Sequence, residues 1–189
     1  MDRLPARLVA AVLLVVLAGC ISVAGPVATE TVGGDGQQAT VTAVIDGDTL
    51  DVQFPDGTTD TVRLLGVDSP ETQVENEPQE FEGVPDSEAG VTCLKNAGQN
   101  ASVFVRDRAA GATVSLRFDP LADRRDRYDR LLAYVELDGV DLNRLLVDRG
   151  HARVYDSQFT RSDSYYELEA TAQSEQRGLW RCRSPSGTG

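Results

Sequence analysis

The sequence predicts an α+β domain of five short strands and three helices, and three observations carry that prediction. Apolar and polar residues alternate over several short runs, the period of a strand with one buried face. Elsewhere apolar residues recur every three or four positions over longer runs that carry cap signals, the pattern of an amphipathic helix. Clusters of Gly, Pro and Asp punctuate the runs.

In chain order, the first segment is a targeting end. Arg3 and Arg7 precede an apolar run over residues 8–17 that is too short to span a bilayer comfortably and ends in small residues, as a secretory signal does. Leu17-Ala18-Gly19-Cys20 resembles the lipobox of lipoproteins, in which the cysteine becomes the lipidated first residue. An ordinary signal peptide with an incidental cysteine is the other reading. Residues 1–19 are thus expected to be removed, and residues 20–38, with Gly33-Gly34-Asp35-Gly36, to form a flexible linker. Residues 39–183 are enough for one domain with a real core, and 184–189 read as a disordered tail. No second apolar segment of spanning length follows, so membrane contact is expected through a lipid anchor only.

The strands come next. Residues 41–45 open the sheet; Leu50, Val52 and Phe54 then alternate with Asp51 and Gln53, and Pro55-Asp56-Gly57 turns the chain. Residues 61–67 return, with Val62 and Leu64 on one face and Arg63 on the other. Val114, Leu116 and Phe118 mark a fourth strand ended by Asp119-Pro120, and residues 130–137 a fifth closed by Asp138-Gly139. The first helix, residues 87–109, places Leu94, Ala97, Ala101, Phe104 and Val105 on one face, with Gly111 beyond its end. The second starts at Asp141, turns Leu142, Leu145 and Leu146 inward and stops at Gly150. A capping box, Ser164-x-x-Glu167, announces the third, which ends at Gly178.

Chemistry concentrates in residues 44–71, where Asp46, Asp48, Asp68 and Glu71 lie near Arg63. Asp46-Gly47 is a hairpin-turn signal, glycine supplying the positive φ that such turns demand. Val67-Asp68-Ser69-Pro70 ends a strand, because the residue before proline leaves the helical region and the ladder cannot easily continue. If the strands pair in order, both turns converge at one edge and gather hard oxygen ligands beside a guanidinium. That suits a divalent cation and a phosphate. All-oxygen, partly backbone ligation by Asp48, Asp68 and the Ser69 carbonyl suits Ca²⁺ better than the stricter Mg²⁺ shell. The bland alternative makes Asp46, Asp48 and Asp68 turn formers only.

Val44-Ile45-Asp46-Gly47-Asp48-Thr49, then Arg63-Leu64-Leu65-Gly66-Val67-Asp68-Ser69-Pro70-Glu71, then Asp126-Arg127-Tyr128-Asp129-Arg130 stand in the order of the thermonuclease family's signature. The chain resembles that family from about Val41 to Trp180. The resemblance implies a five-stranded OB-fold β-barrel with three helices, and a nuclease that cuts both DNA and RNA with little sequence preference, leaving 3′-phosphates. It also points to Ca²⁺, with Asp46 as an outer partner, to Glu71 as general base, and to Arg63 and Arg130 as phosphate clamps. Guanidinium is planar, permanently charged and bidentate towards phosphoryl oxygens. Arg127 and Tyr128 match substrate-pocket residues, and Tyr155 is expected as a second aromatic wall. Tyr128 and Arg130, two positions apart, share a side if the strand is extended there. Arg124 and Arg125 read equally as a solvated charge run.

Three departures from the family pattern stand out. Ser69 replaces a usual threonine, which is harmless if the backbone carbonyl is the ligand. Asp129 stands where glycine is frequent, directly before Arg130. Residues 73–86, with Glu75, Glu77, Glu80 and Glu82, replace a lysine-rich loop, so no substrate grip is expected from them.

The formal charge is −12, about −13 without residues 1–19, and Lys95 is the only lysine. Such a surface suits concentrated salt, and a halophilic setting is expected. Acidity argues against a sequence-specific DNA-binding module, which needs a basic footprint. It argues less against a nuclease, since at 1 M salt the Debye length is about 3 Å and contact-range arginines outlast distant repulsion. With Cys20 assigned to lipid, Cys93 and Cys182 invite a disulfide between the first helix and the C-terminal end, two separate buried thiols being the alternative. Two distant cysteines and one histidine lack zinc-ligand spacing, so His151 is read as structural and the chemistry must run without histidine. The expectation is a monomeric enzyme at the outer face of the cell membrane, or secreted. Its rivals are a catalytically silent OB-fold nucleic-acid-binding module and a surface-anchored partner-binding protein.

Overall fold

Val41, Leu50, Val52, Val62 and Leu64, the apolar members of the alternating runs, are all buried, and they line the inside of a closed sheet. The computed structural model describes residues 36–183; the signal, Cys20, most of the linker and the tail at 184–189 lie outside the described residues. Its elements are β1 (Gln37–Val44), β2 (Thr49–Gln53), β3 (Thr59–Leu64), β4 (Val67–Asp68), α1 (Glu88–Ala109), β5 (Thr113–Arg117), β6 (Leu131–Leu137), β7 (Val140–Asp141), α2 (Leu142–Asp148), β8 (Arg153–Val154) and α3 (Ser162–Ser174). β1 therefore begins inside the stretch read as linker.

The sheet runs β3-β2-β1-β5-β6 and closes by a parallel β3–β6 pairing, in which Val62, Arg63 and Leu64 face Leu131, Leu132 and Ala133. This is a five-stranded closed barrel with three helices, consistent with an OB-fold, and β7 merely extends its rim. α1 seals one opening with Val105 and Ala109, and α2 contributes Leu142, Leu146 and Val147; Leu145 is only half-buried. A second small core joins Phe81, Val84, Leu94, Ala172, Leu179 and Trp180. Beside it the Cys93 and Cys182 sulfurs are bonded, with Cα atoms 5.7 Å apart. Among the described residues no helix is long and apolar enough to cross a membrane.

Three local expectations need correction. The strand predicted over residues 61–67 stops at Leu64, because Gly66 takes φ +74° and swings the chain into the separate β4. α3 runs from Ser162 to Ser174, starting a turn earlier than the capping box implies and ending before Gly178. Ser164 lies inside it, and its hydroxyl donates to the Arg161 carbonyl instead of capping. Gly47 does not use a positive φ. It is required by proximity, since a Cβ there would stand 2.6 Å from Ser69 Oγ and 2.7 Å from Ala101 Cβ.

Candidate active site

Two turns meet where Gly47 presses against Ser69. In the first, the Ile45 and Asp46 amides both donate to the Thr49 carbonyl, at 3.0 and 3.4 Å, and the Asp48 amide donates to Asp46 Oδ1 at 3.0 Å. Asp48 is 4% exposed and ties this turn to the strand exit. Its Oδ2 accepts from the Ser69 amide (2.6 Å) and the Ser69 hydroxyl (2.9 Å). Its Oδ1 accepts from the Thr49 hydroxyl at 3.1 Å and lies 3.1 Å from the Arg63 guanidinium. The Ser69 hydroxyl thus supplies the hydrogen bond to Asp48 that a threonine hydroxyl could also make.

Arg63 leaves β3 on the side opposite Val62 and Leu64 and is nearly buried. The turn at Gly66 brings the chain back across it: Nη1 donates to the Val67 carbonyl and Nη2 to Asp68 Oδ1, each at 2.7 Å. On the other side of Asp68, Oδ2 pairs with Arg153 Nη2 at 2.7 Å, the two residues being partners in the short β4–β8 ladder.

Arg130 is delivered by a turn instead of an extended strand, so the alternation argument for Tyr128 and Arg130 does not hold. Asp126 Oδ1 accepts from the Tyr128 and Arg130 amides (2.9 and 3.0 Å), and Asp129 sits at φ +65°. Left-handed backbone explains why glycine fits this position and why Asp, which tolerates it better than most, is accepted. Asp126 Oδ2 also holds the Arg130 side chain, 2.7 Å from Nε and 2.6 Å from Nη2.

These pieces surround one cleft of about 760 Å³, lined by Asp46, Asp48, Arg63, Asp68, Glu71, Arg127, Tyr128, Arg130 and Tyr155. Ser69 lies beneath it, bonded to Asp48, while Cys93 and Cys182 stand apart in the small core. Tyr128 and Tyr155 are exposed, with the Arg127 guanidinium 4.7 Å from the Tyr128 ring centre. Arg124 and Arg125 do not line the cleft: Arg124 stacks on Phe118, and Arg125 is bound to Asp60 at 2.6 and 3.1 Å.

The carboxylates strain against one another electrostatically. Burial, with the Asp48 charge next to it, pushes Asp46 up to about 6. Burial also raises Asp68, against the pull of Arg63 and Arg153, and raises Glu71, reinforced by Asp48 and Asp68. Burial opposes the charge on Arg63, but Asp48, Asp68, Asp46 and Glu71 outweigh it and hold the guanidinium charged. Among the described residues no three acidic, histidine or cysteine side chains are gathered closely enough to hold a metal by themselves, because Arg63 stands between Asp48 and Asp68. The donor set nevertheless fits a hard cation: every candidate ligand is oxygen, and the excess of buried negative charge is what a divalent ion relieves.

Several residues that shape the site were not singled out from the sequence. Thr49 supports Asp48, Arg153 braces Asp68, and Asp126 aims Arg130. Asn76 binds the backbone of Glu71, and Asn143 joins Leu65, Ala133 and Val135. Thr49 and Asp126 stand within the signature motifs and Asn143 is a polar residue between Leu142 and Leu146 on an inward helix face, whereas Asn76 and Arg153 carry no such signal.

Residues 61–182 match the family model described as staphylococcal nuclease homologue. The uncharacterized protein MJ1439 of Methanocaldococcus jannaschii is 35% identical over 147 residues, 74% of this chain and 70% of its own length. Endonuclease YncB of Bacillus subtilis is 35% identical over 144 residues, 75% of this chain but 60% of its own length, so the chain spans less than two thirds of that relative. A thermonuclease of Staphylococcus intermedius is 31% identical over 160 residues, 82% of this chain and 83% of its own length.

Proposed function

The chain belongs to the family of staphylococcal nuclease homologues, and from that premise we propose that it is a Ca²⁺-dependent nuclease hydrolysing phosphodiester bonds of DNA and RNA with low sequence specificity, leaving 3′-phosphates. The observation that carries the reading is the single cleft in which Asp46, Asp48, Asp68 and Glu71 face Arg63 and Arg130. Phosphodiester hydrolysis needs an activated water, neutralisation of charge growing on phosphoryl oxygens, and a stabilised leaving alkoxide.

Asp48, Asp68 and the Ser69 carbonyl, with Asp46 as outer partner, would hold Ca²⁺, which would supply Lewis-acid neutralisation of the phosphate. Glu71, which lines the cleft beside Asp68, takes the proton from the attacking water. Arg63 and Arg130 donate to the phosphoryl oxygens as their charge increases. Tyr128 and Tyr155 offer stacking faces, which every base satisfies, so low sequence preference follows. We place the protein outside the cell as a monomer, anchored through lipid on Cys20 or released, and suited to high salt by its acidity.

The test incubates the purified chain at high and low salt with single-stranded DNA or RNA, in Ca²⁺ or chelator, beside Glu71→Gln and Arg130→Ala. Expected is cleavage that requires Ca²⁺ and drops about 10²–10⁴-fold on loss of the base in Glu71→Gln and about 10²–10³-fold on loss of the charge-stabilising donor in Arg130→Ala. Cleavage indifferent to chelator or to both substitutions overturns the proposal. Binding without cleavage would establish the silent module instead.

A further inference from the structure

Glu71 sits in no strand or helix, and no buried carboxylate holds its side chain. It is exposed and lies just past the β4 exit, at the start of the acidic stretch whose only regular piece is a single turn of 3-10 helix, Pro78–Glu80. A base on such a segment keeps its aim only if its backbone is pinned.

Two contacts pin it. From one side, Asn76, only 4% exposed, closes a ring with the Glu71 backbone. The Glu71 amide donates to Asn76 Oδ1 at 2.7 Å, and Asn76 Nδ2 donates back to the Glu71 carbonyl at 2.9 Å. A carboxamide is the side chain that carries both a donor and an acceptor in one planar fork, so it copies the paired bonds of an antiparallel ladder. From the other side, α1 presents Gly98, where a Cβ would lie 2.2 Å from the Pro70 carbonyl oxygen and 3.2 Å from that of Glu71. The peptide bearing the base is held between a bare stretch of helix and a buried amide.

We infer that Asn76 is a positioning residue for Glu71, fixing its backbone so that the carboxylate is presented to the cleft. This rests on the nuclease reading with Glu71 as base. Asn76 has no hydrogen bond to Asp48, Asp68, Arg63 or Arg130, so its loss should leave cation and phosphate binding in place while misdirecting the water.

The experiment compares the unsubstituted chain with Asn76→Ala and Asn76→Gln, each alone and combined with Glu71→Gln, reading kcat, KM and Ca²⁺ affinity by calorimetry. Asn76→Gln keeps the amide but displaces it by one methylene, and it serves if the alanine variant folds poorly. Expected is a fall in kcat of about 10–100-fold, the scale of a misplacement near 1 Å, with KM and Ca²⁺ affinity within about twofold. Combined with Glu71→Gln, the Asn76 substitutions should cost almost nothing more, because residues acting as a unit are non-additive. Unchanged kcat in both Asn76 variants, or losses that multiply with that of Glu71→Gln, would overturn the positioning role alone. An unsubstituted chain that does not cleave would overturn the nuclease reading and this inference with it.

Discussion

Replacing Asn143 with alanine tests how the barrel holds the site. Asn143 is fully buried on α2; its Oδ1 accepts from the Val135 amide at 3.0 Å, and its Nδ2 donates to the Leu65 and Ala133 carbonyls at 3.0 and 3.1 Å. The Ala133 carbonyl keeps a second partner, the Leu65 amide at 2.9 Å. The alanine variant therefore strands two groups, the Val135 amide and the Leu65 carbonyl. A buried polar group left unsatisfied costs roughly 1–3 kcal/mol, so the expected loss is about 2–6 kcal/mol. Against a typical total of about 5–15 kcal/mol that is severe. Urea unfolding at fixed salt should show a lower midpoint with an unchanged slope. Asn143→Leu fills most of the volume without restoring the bonds, so it should be about as unstable as the alanine variant. A loss below about 1 kcal/mol, or near-complete rescue by leucine, would refute the reasoning and show that α2 contributes packing instead of hydrogen bonds.

Three further outcomes are expected. Arg153→Met removes the guanidinium that lies near the Phe81 and Tyr155 rings and leaves Asp68 with Arg63 as its one guanidinium; thermal unfolding should register a loss of about 1–3 kcal/mol, less than for a fully orphaned buried charge. Reducing the Cys93–Cys182 bond, which spans 89 residues, removes a chain-entropy term of at most about 4–5 kcal/mol, so a drop of about 2–4 kcal/mol should appear in unfolding with and without reductant. Burial, then the charges of Arg108 and Arg149, lower His151 to about 4. Because the folded state resists protonating it, stability should be unaffected above about pH 6.5 and decline as pH falls towards 4. His151→Phe, which preserves the packing on Phe104, should flatten that part of the profile.

Sequence alone writes the alternation that builds β1, β2, β3, β5 and β6, the starts of α1 and α2, and the carboxylates and arginines of the cleft. These are local matters: a period, a turn residue or a motif is written over a few neighbouring positions. Tertiary structure decided what depends on residues meeting across long separations. Gly47 looked like a turn glycine, but contact with Ser69 and Ala101 is what requires it. Arg153 and Asn143 became partners of Asp68 and Leu65 only because β8 and α2 fold back on the chain around β4. The start of α3 is ambiguous in the sequence because a capping box and a serine bonding inside a helix share the same letters, and only the surrounding chain chooses between them. Sequence chose the chemical groups, whereas closure of the barrel set their distances, because pairing β3 with β6 is what places Arg63 near the turn that carries Arg130.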